Sequence, residues 1–289
     1  SGVNGTTGGI PHFLSRYVDG RHGHALSLQS KQTHVLLDVM KRFGYRGFYM
    51  HNWGYDAWGY WNITDPETKK TWTDFARETN ERGLVYMAYF CNYINERNEY
   101  YRFKPELELL PPYPFRHNTM VHTRPPAQDF VVWRMKDRIE RFGIRGLHLD
   151  FHAGYFPNQN ELVGAGWRDR TGALHPTWDY FDVWTQQKRI WALAKEAPLT
   201  DGVVKLHSGP PSIPWADYRM TGEGQRTMEK LLPLDRYRTA SSEGPTGVPK
   251  QFDAKYHHKD HNEMLAVTLL HNDPCRVDPN MLDIDYIRG

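Results

Sequence analysis

Cysteine is scarce in this sequence: Cys91 and Cys275 are the two thiols among 289 residues. Two cysteines make neither a disulfide framework nor a four-ligand zinc site. Cys91 closes the apolar run Met87-Ala88-Tyr89-Phe90-Cys91 and reads as a small core residue. Charge of one sign is lacking as well. Thirty-six Lys and Arg face 34 Asp and Glu, leaving a net +2, and no basic stripe stands out, so nucleic acid is not an expected partner. No run approaches the roughly 20 apolar residues of a bilayer span, so no membrane-spanning segment is expected. No Gly-rich phosphate fingerprint follows an apolar strand, which removes the commonest use of a doubly wound sheet. No Gly-x-Ser-x-Gly elbow supports a Ser-His-Asp hydrolase. Ser1 to Gly9 are small and polar with no initiator Met. The chain is therefore read as trimmed from a longer multidomain protein, with any targeting segment out of view.

Aromatic residues are plentiful, at 14% with ten Trp and seventeen Tyr. They can fill a large core, and the length suits an α/β barrel of about 250 residues as one unit. The strongest pattern is a repeated junction. Lys41-Arg42-Phe43-Gly44-Tyr45-Arg46-Gly47-Phe48 is echoed by Glu140-Arg141-Phe142-Gly143-Ile144-Arg145-Gly146-Leu147. Amphipathic helices precede both, with inner faces Leu36, Met40, Phe43 and Val131, Met135, Ile139, Phe142. Each stops at a glycine placed to cap in the left-handed conformation, and an apolar strand follows. A third junction, Glu81-Arg82-Gly83-Leu84, ends a helix that starts near Thr64-Asp65-Pro66-Glu67 and turns Trp72, Phe75, Ala76 and Thr79 inward. A fourth helix is expected over 177–196, with Phe181, Trp184, Trp191 and Ala194 inward.

Strands are expected at Gly47 to Trp53, Leu84 to Cys91, Gly146 to Phe151, Val203 to Ser208 and Tyr218 to Glu223. An opening strand is expected within His12 to Val18, and a further helix and strand between Asp260 and Val277. Alternating helices and strands predict parallel α/β architecture. The expected fold is a (β/α)₈ barrel over residues 1–289, with insertions at 93–126 and 152–176 rising over its catalytic face.

In such barrels the reacting groups stand at the C-terminal strand ends. Here those ends carry His51, Asn52 and Trp53; Tyr89, Phe90 and Asn92; His148, Asp150 and His152; Lys205 and His207; and Arg219 and Glu223. Hydrogen-bonding groups mixed with flat rings suit a sugar pocket. Asp150 and Glu223, on separate strands, supply the two carboxylates that glycoside hydrolysis requires, one as nucleophile or base and one as acid. Asp150 can instead cap its loop or pair with an arginine, and Glu223 can be a turn residue between glycines. His257-His258-Lys259-Asp260-His261 reads as a solvated loop, and no cofactor or metal is expected.

These strand ends resemble the melibiase-type (α-galactosidase clan) barrels. The likeness lies in the Gly44–Trp53 strand, the Gly83–Phe90 strand, Asp150 at the fourth strand end and Arg219-x-x-x-Glu223 at a later one. Glu in the last motif is similar to the endo-α-N-acetylgalactosaminidase branch. The position two before Asp150, a lysine in many melibiases, is His148. Met50-His51-Asn52-Trp53 and Gly222-Glu223-Gly224 also resemble barrels related to β-N-acetylgalactosaminidases. The resemblance implies a retaining exo-glycosidase acting on galacto-configured or N-acetylated sugars. Asp150 would be its nucleophile or acetamide orienter and Glu223 its acid/base. His51, Asn52, Trp53, Tyr89, His148, His152, Lys205, His207 and Arg219 would bind an oligosaccharide or glycan. It also implies secretion or a periplasmic location. The alternatives are a non-catalytic carbohydrate-binding barrel and a metal-dependent barrel hydrolase, and nothing in the sequence specifies an oligomeric state.

Overall fold

A computed structural model of the protein describes residues 13–16, 31–42, 47–50, 66–95, 99–115, 118–150, 156–196, 201–207, 214–221, 250–253 and 275–276. Eight strands form one sheet in chain order: β1 (Phe13–Arg16), β2 (Gly47–Met50), β3 (Val85–Cys91), β4 (Gly146–Asp150), β5 (Val203–His207), β6 (Tyr218–Thr221), β7 (Lys250–Asp253) and β8 (Cys275–Arg276). Every neighbouring pair is parallel. The outermost strands β1 and β8 come within 8 Å of each other at Cα, although the described ladders leave the sheet open between them.

Parallel neighbours need a crossover connection. Four helices supply one each between the first five strands: α1 (Lys31–Arg42), α2 (Pro66–Glu81), α3 (Ala127–Phe142) and α4 (Tyr180–Lys195). The glycine stops behave as the sequence predicts. Gly143 takes a φ of 67° and donates its N–H to the Ile139 carbonyl at 3.0 Å, closing α3 before β4. Gly83 takes a φ of 74° at the end of α2. Gly44, third of the series, lies outside the described residues.

The expected inner faces of α2 and α3 are buried in full: Trp72, Phe75, Ala76 and Thr79, then Val131, Met135, Ile139 and Phe142. On α1, Met40 is buried, as is Leu37. The expected face of α4 holds in part: Ala194 is buried and Trp191 packs partly buried on the core, but Phe181 is 82% exposed. Val183, Gln186, Gln187, Ile190 and Ala194 are the buried positions. That set recurs at intervals of three and four. Phe181 is two residues, more than half a turn, from Val183 and so faces away.

Side chains alternate across the strands, and the sheet separates two clusters. Tyr86, Ala88, Phe90, Leu147, Leu149, Val204 and Leu206 pack under the helices with Trp72, Phe75, Met135 and Ile190. Phe90, expected at the mouth, belongs to this helix-facing layer. Met87, Tyr89 and Cys91 point the other way and cluster with Tyr93, Leu109 and Met120. β7 is a strand the sequence reading did not find, since Lys-Gln-Phe-Asp carries little apolar signal.

Both expected insertions are folded pieces. The first contains a three-stranded antiparallel sheet of Tyr93–Asn95, Asn118–Met120 and Pro114–Phe115, with helical turns at Glu99–Phe103 and Lys104–Leu107. The second runs past its expected end at 176: Thr177–Trp178, expected to open the fourth helix, is instead a strand paired with Pro157–Asn158, and the helix starts at Tyr180; Trp167–Arg168 pairs with Leu174–His175. Polar side chains bind one to the other. Buried Asn160 donates from Nδ2 to the carbonyls of Pro105 and Glu108 at 2.8 and 2.9 Å. Gln159 donates its backbone N–H to the Leu110 carbonyl at 2.6 Å. Arg124 donates from Nη1 to the carbonyls of Val163, at 3.1 Å, and Gly164. Its Nε meets Asp179 Oδ1 at 2.9 Å, and Asn158 Nδ2 takes the other oxygen at 2.7 Å. Each bond that satisfies a buried polar group avoids a desolvation cost of about 1–3 kcal/mol, so the two insertions are joined as one cap.

Candidate functional site

The register of β3, β4 and β5 builds a small polar array on the inner face. Tyr89 pairs with His148, which pairs with Lys205, and one rung further along Cys91 pairs with Asp150. Residues at i and i+2 on a strand share a face. Tyr89 and Cys91, His148 and Asp150, and Lys205 and His207 therefore all look inward, while Phe90, Leu149 and Leu206 between them look toward the helices.

Asp150 ends β4, fourth of the eight strands, and is 6% exposed. A carboxylate so enclosed costs several kcal/mol unless hydrogen bonds replace its water. Both oxygens are supplied. The Tyr89 hydroxyl donates to Oδ2 in a short hydrogen bond. His207 Nδ1 lies 2.9 Å from Oδ1 and, facing an acceptor, carries the proton. Hydrogen bonds to an ionised group are stronger than neutral ones, and two of them on opposite oxygens fix the plane of the carboxylate. The His148 ring is stacked between the other two rings, 5.3 Å from Tyr89 and 6.2 Å from His207. It is fully buried, as is Lys205.

Cys91 is the neighbour that the sequence reading set aside as core. Its thiol is pushed well above the ordinary range, first by burial and then by the Asp150 charge, against a hydrogen bond with Tyr89 that lowers it. The thiol therefore stays protonated and forms the apolar side wall of the carboxylate. Period-two alternation from Tyr89 would have placed it there. Tyr93, two residues on, is raised by burial, with smaller contributions from Cys91, Asp150 and Tyr113.

The structure thus brings together five of the sequence-predicted residues: Tyr89, His148 and Lys205 on one rung, and Asp150 and His207 beyond it. Arg219 is described in its backbone, where its Cα pairs with Leu206 rather than with Lys205 or His207. Glu223, His51, Asn52, Trp53 and His152 lie outside the described residues, as does the loop 257–261. Among the described residues no three His, Cys, Asp or Glu side chains gather as metal ligands, and no helix is long and apolar enough to cross a membrane.

No protein-family model and no curated protein matches the sequence. Solved structures do match in fold. The α-galactosidase from Lactobacillus brevis superposes with a TM-score of 0.60 at 13% identity, over 96% of this chain and 39% of that one. A maltogenic α-amylase from Thermotoga neapolitana gives 0.58 at 14% identity, over 95% and 68%. Trehalose-6-phosphate hydrolase from Bacillus licheniformis gives 0.61 at 11% identity, over 94% and 64%. The chain shares the fold of these proteins and spans about two fifths of the length of the α-galactosidase.

Proposed function

We propose that this chain is a glycoside hydrolase on a (β/α)₈ barrel, closed between β8 and β1, that removes a terminal sugar with retention. The observation that carries the reading is the Asp150 carboxylate at the end of the fourth strand, with Tyr89 on one oxygen and His207 on the other. Those two donors orient the carboxylate at a strand end, which is where the loops of such barrels bring a substrate. Its fold likeness to proteins named α-galactosidase, α-amylase and trehalose-6-phosphate hydrolase supports the reading.

In this mechanism Asp150 attacks the anomeric carbon and forms a glycosyl ester, while Glu223 protonates the leaving oxygen. Glu223 then deprotonates the water that releases the sugar. As charge leaves the Asp150 oxygens in the first step, Tyr89 and His207 stabilise the carboxylate as it re-forms in the second. For an N-acetylated substrate the acetamide attacks instead, and Asp150 orients it. Galacto-configured or N-acetylated sugars are the substrates proposed, on the melibiase resemblance of the strand ends.

The test is a screen of aryl α- and β-glycosides with NMR of the first-formed anomer. A retained anomer and a loss of about 10⁴-fold in Asp150→Asn are expected. Azide rescue of a small residue at 150, giving an inverted glycosyl azide, identifies the direct nucleophile. Turnover near that of the unaltered chain in Asp150→Asn sinks the proposal.

A further inference from the structure

The cap holds a feature that the carboxylate site does not use. Tyr113 comes from the first insertion and is 42% exposed. Its centroid lies 4.3 Å from that of Phe156, at the start of the second insertion, with the planes tilted by 42°. Phe156 in turn packs against the inner cluster of Met87, Tyr89, Cys91, Tyr93, Leu109 and Met120. A continuous path of contact therefore runs from the wall of Asp150, through Phe156, to an open aromatic ring. Pro111, Pro112 and Pro114 surround Tyr113 in the chain and restrict its backbone. The Gln159–Leu110 and Asn160–Glu108 hydrogen bonds fix the two insertions on either side of the pair.

We propose that Tyr113, backed by Phe156, is a stacking subsite for a second sugar ring, adjoining the one whose anomeric carbon meets Asp150. The inference rests on the glycosidase reading for its placement and names the substrate class more narrowly, as a disaccharide or longer glycan. A pyranose offers an apolar face of C–H groups, and an aromatic ring that is exposed, flat and already held in place takes it with little ordering cost. Continuity with the site wall selects a sugar of the same substrate as the occupant. Trp167, 54% exposed and stacked on His175 at 4.5 Å, belongs to a separate hairpin and serves as the control.

The experiment compares Tyr113→Ala with the unaltered protein on two substrates of one glycone: its glycosyl fluoride, which has no second ring, and its disaccharide. The subsite predicts kcat/KM for the disaccharide falling about fivefold to tenfold, through KM, with the fluoride unchanged. Tyr113→Phe should keep the ring and the activity. Equal losses on both substrates, or no loss on either, overturn the proposal, and so does a loss that appears in Trp167→Ala instead. Binding of raffinose and maltotriose, followed by saturation-transfer NMR, separates the two readings. Tyr113-dependent binding without any turnover keeps the subsite and removes the glycosidase. Turnover with neither trisaccharide binding nor a disaccharide effect removes the subsite alone.

Discussion

His207 and Asp150 stand 2.9 Å apart across two neighbouring parallel strands, nitrogen to oxygen. The geometry follows from register, since Leu149 pairs with Leu206 and the next residue of each strand faces inward. The Tyr89 hydroxyl completes the arrangement from the other side. Removing one donor should leave the carboxylate in place but less firmly oriented. Tyr89→Phe is expected to lower kcat by about 10- to 100-fold, the worth of one hydrogen bond to a charged group. Unchanged kcat with normal folding by circular dichroism would show that the bond is not used.

His122 makes the cap sensitive to acid. Its Nε2 donates to the Glu106 carbonyl at 2.8 Å, and its Nδ1 accepts the Arg124 backbone N–H at 3.0 Å. A proton on Nδ1 would meet that N–H head-on. Burial lowers the imidazole's affinity for protons, and the bond to Glu106 opposes it only in part. The unfolded chain therefore binds the proton more readily than the folded one. Stability is full above the ordinary histidine value of about 6.5 and declines as pH falls below it. Urea midpoints at pH 7.5 and 5.5 should differ more in the unaltered protein than in His122→Asn. Equal differences contradict the assignment.

Asp169 acts in the same direction, in a lower pH range. It accepts hydrogen bonds from the Thr171 hydroxyl and N–H at 2.6 and 2.8 Å, and His175 Nε2 lies 2.8 Å away. The Thr171 hydroxyl, then His175, hold its carboxyl down at about 2. A lowered carboxylate stabilises the folded hairpin above its unfolded value of 3.8 and loses that effect as pH falls toward 2. NMR titration of the Asp169 side chain should show a midpoint well below 3.8, and Asp169→Asn should abolish the hairpin's acid transition. A midpoint at the ordinary value contradicts the local geometry.

The corrected face of α4 is testable by contrast. Ile190→Ala removes a fully buried side chain and should cost about 2–5 kcal/mol. Phe181→Ala removes a larger but exposed one and should stay within about 0.5 kcal/mol. Thermal unfolding of the two variants decides, and a larger loss for Phe181 would reverse the orientation of the helix.

Much of this was legible because it depends on short-range rules. Gly143 had to be the end of a helix, since Arg141 and Phe142 precede it and an apolar strand follows. His148 and Asp150 had to share a face once β4 was placed. What escaped depended on distance in sequence or on weak patterns. Phe181 and Ile190 are equally apolar, and tertiary packing alone makes one of them core. Cys91 is core as expected, but its place beside Asp150, 59 residues away, leaves no local trace. The pairing of Asn160 with Pro105 and Glu108 leaves no periodic trace. Lys250 to Asp253 alternates too little to announce a strand.

The bonds between the insertions have a consequence for redesign. The Asn160 amide nitrogen loses both its partners without the carbonyls of Pro105 and Glu108, and Arg124 loses its bonds to the carbonyls of Val163 and Gly164 without the second insertion. Grafting either loop alone onto a sister barrel would strand these groups dry and unbonded. The transplantable cassette is the pair, and a change in the profile of the opening must be written into both halves at once.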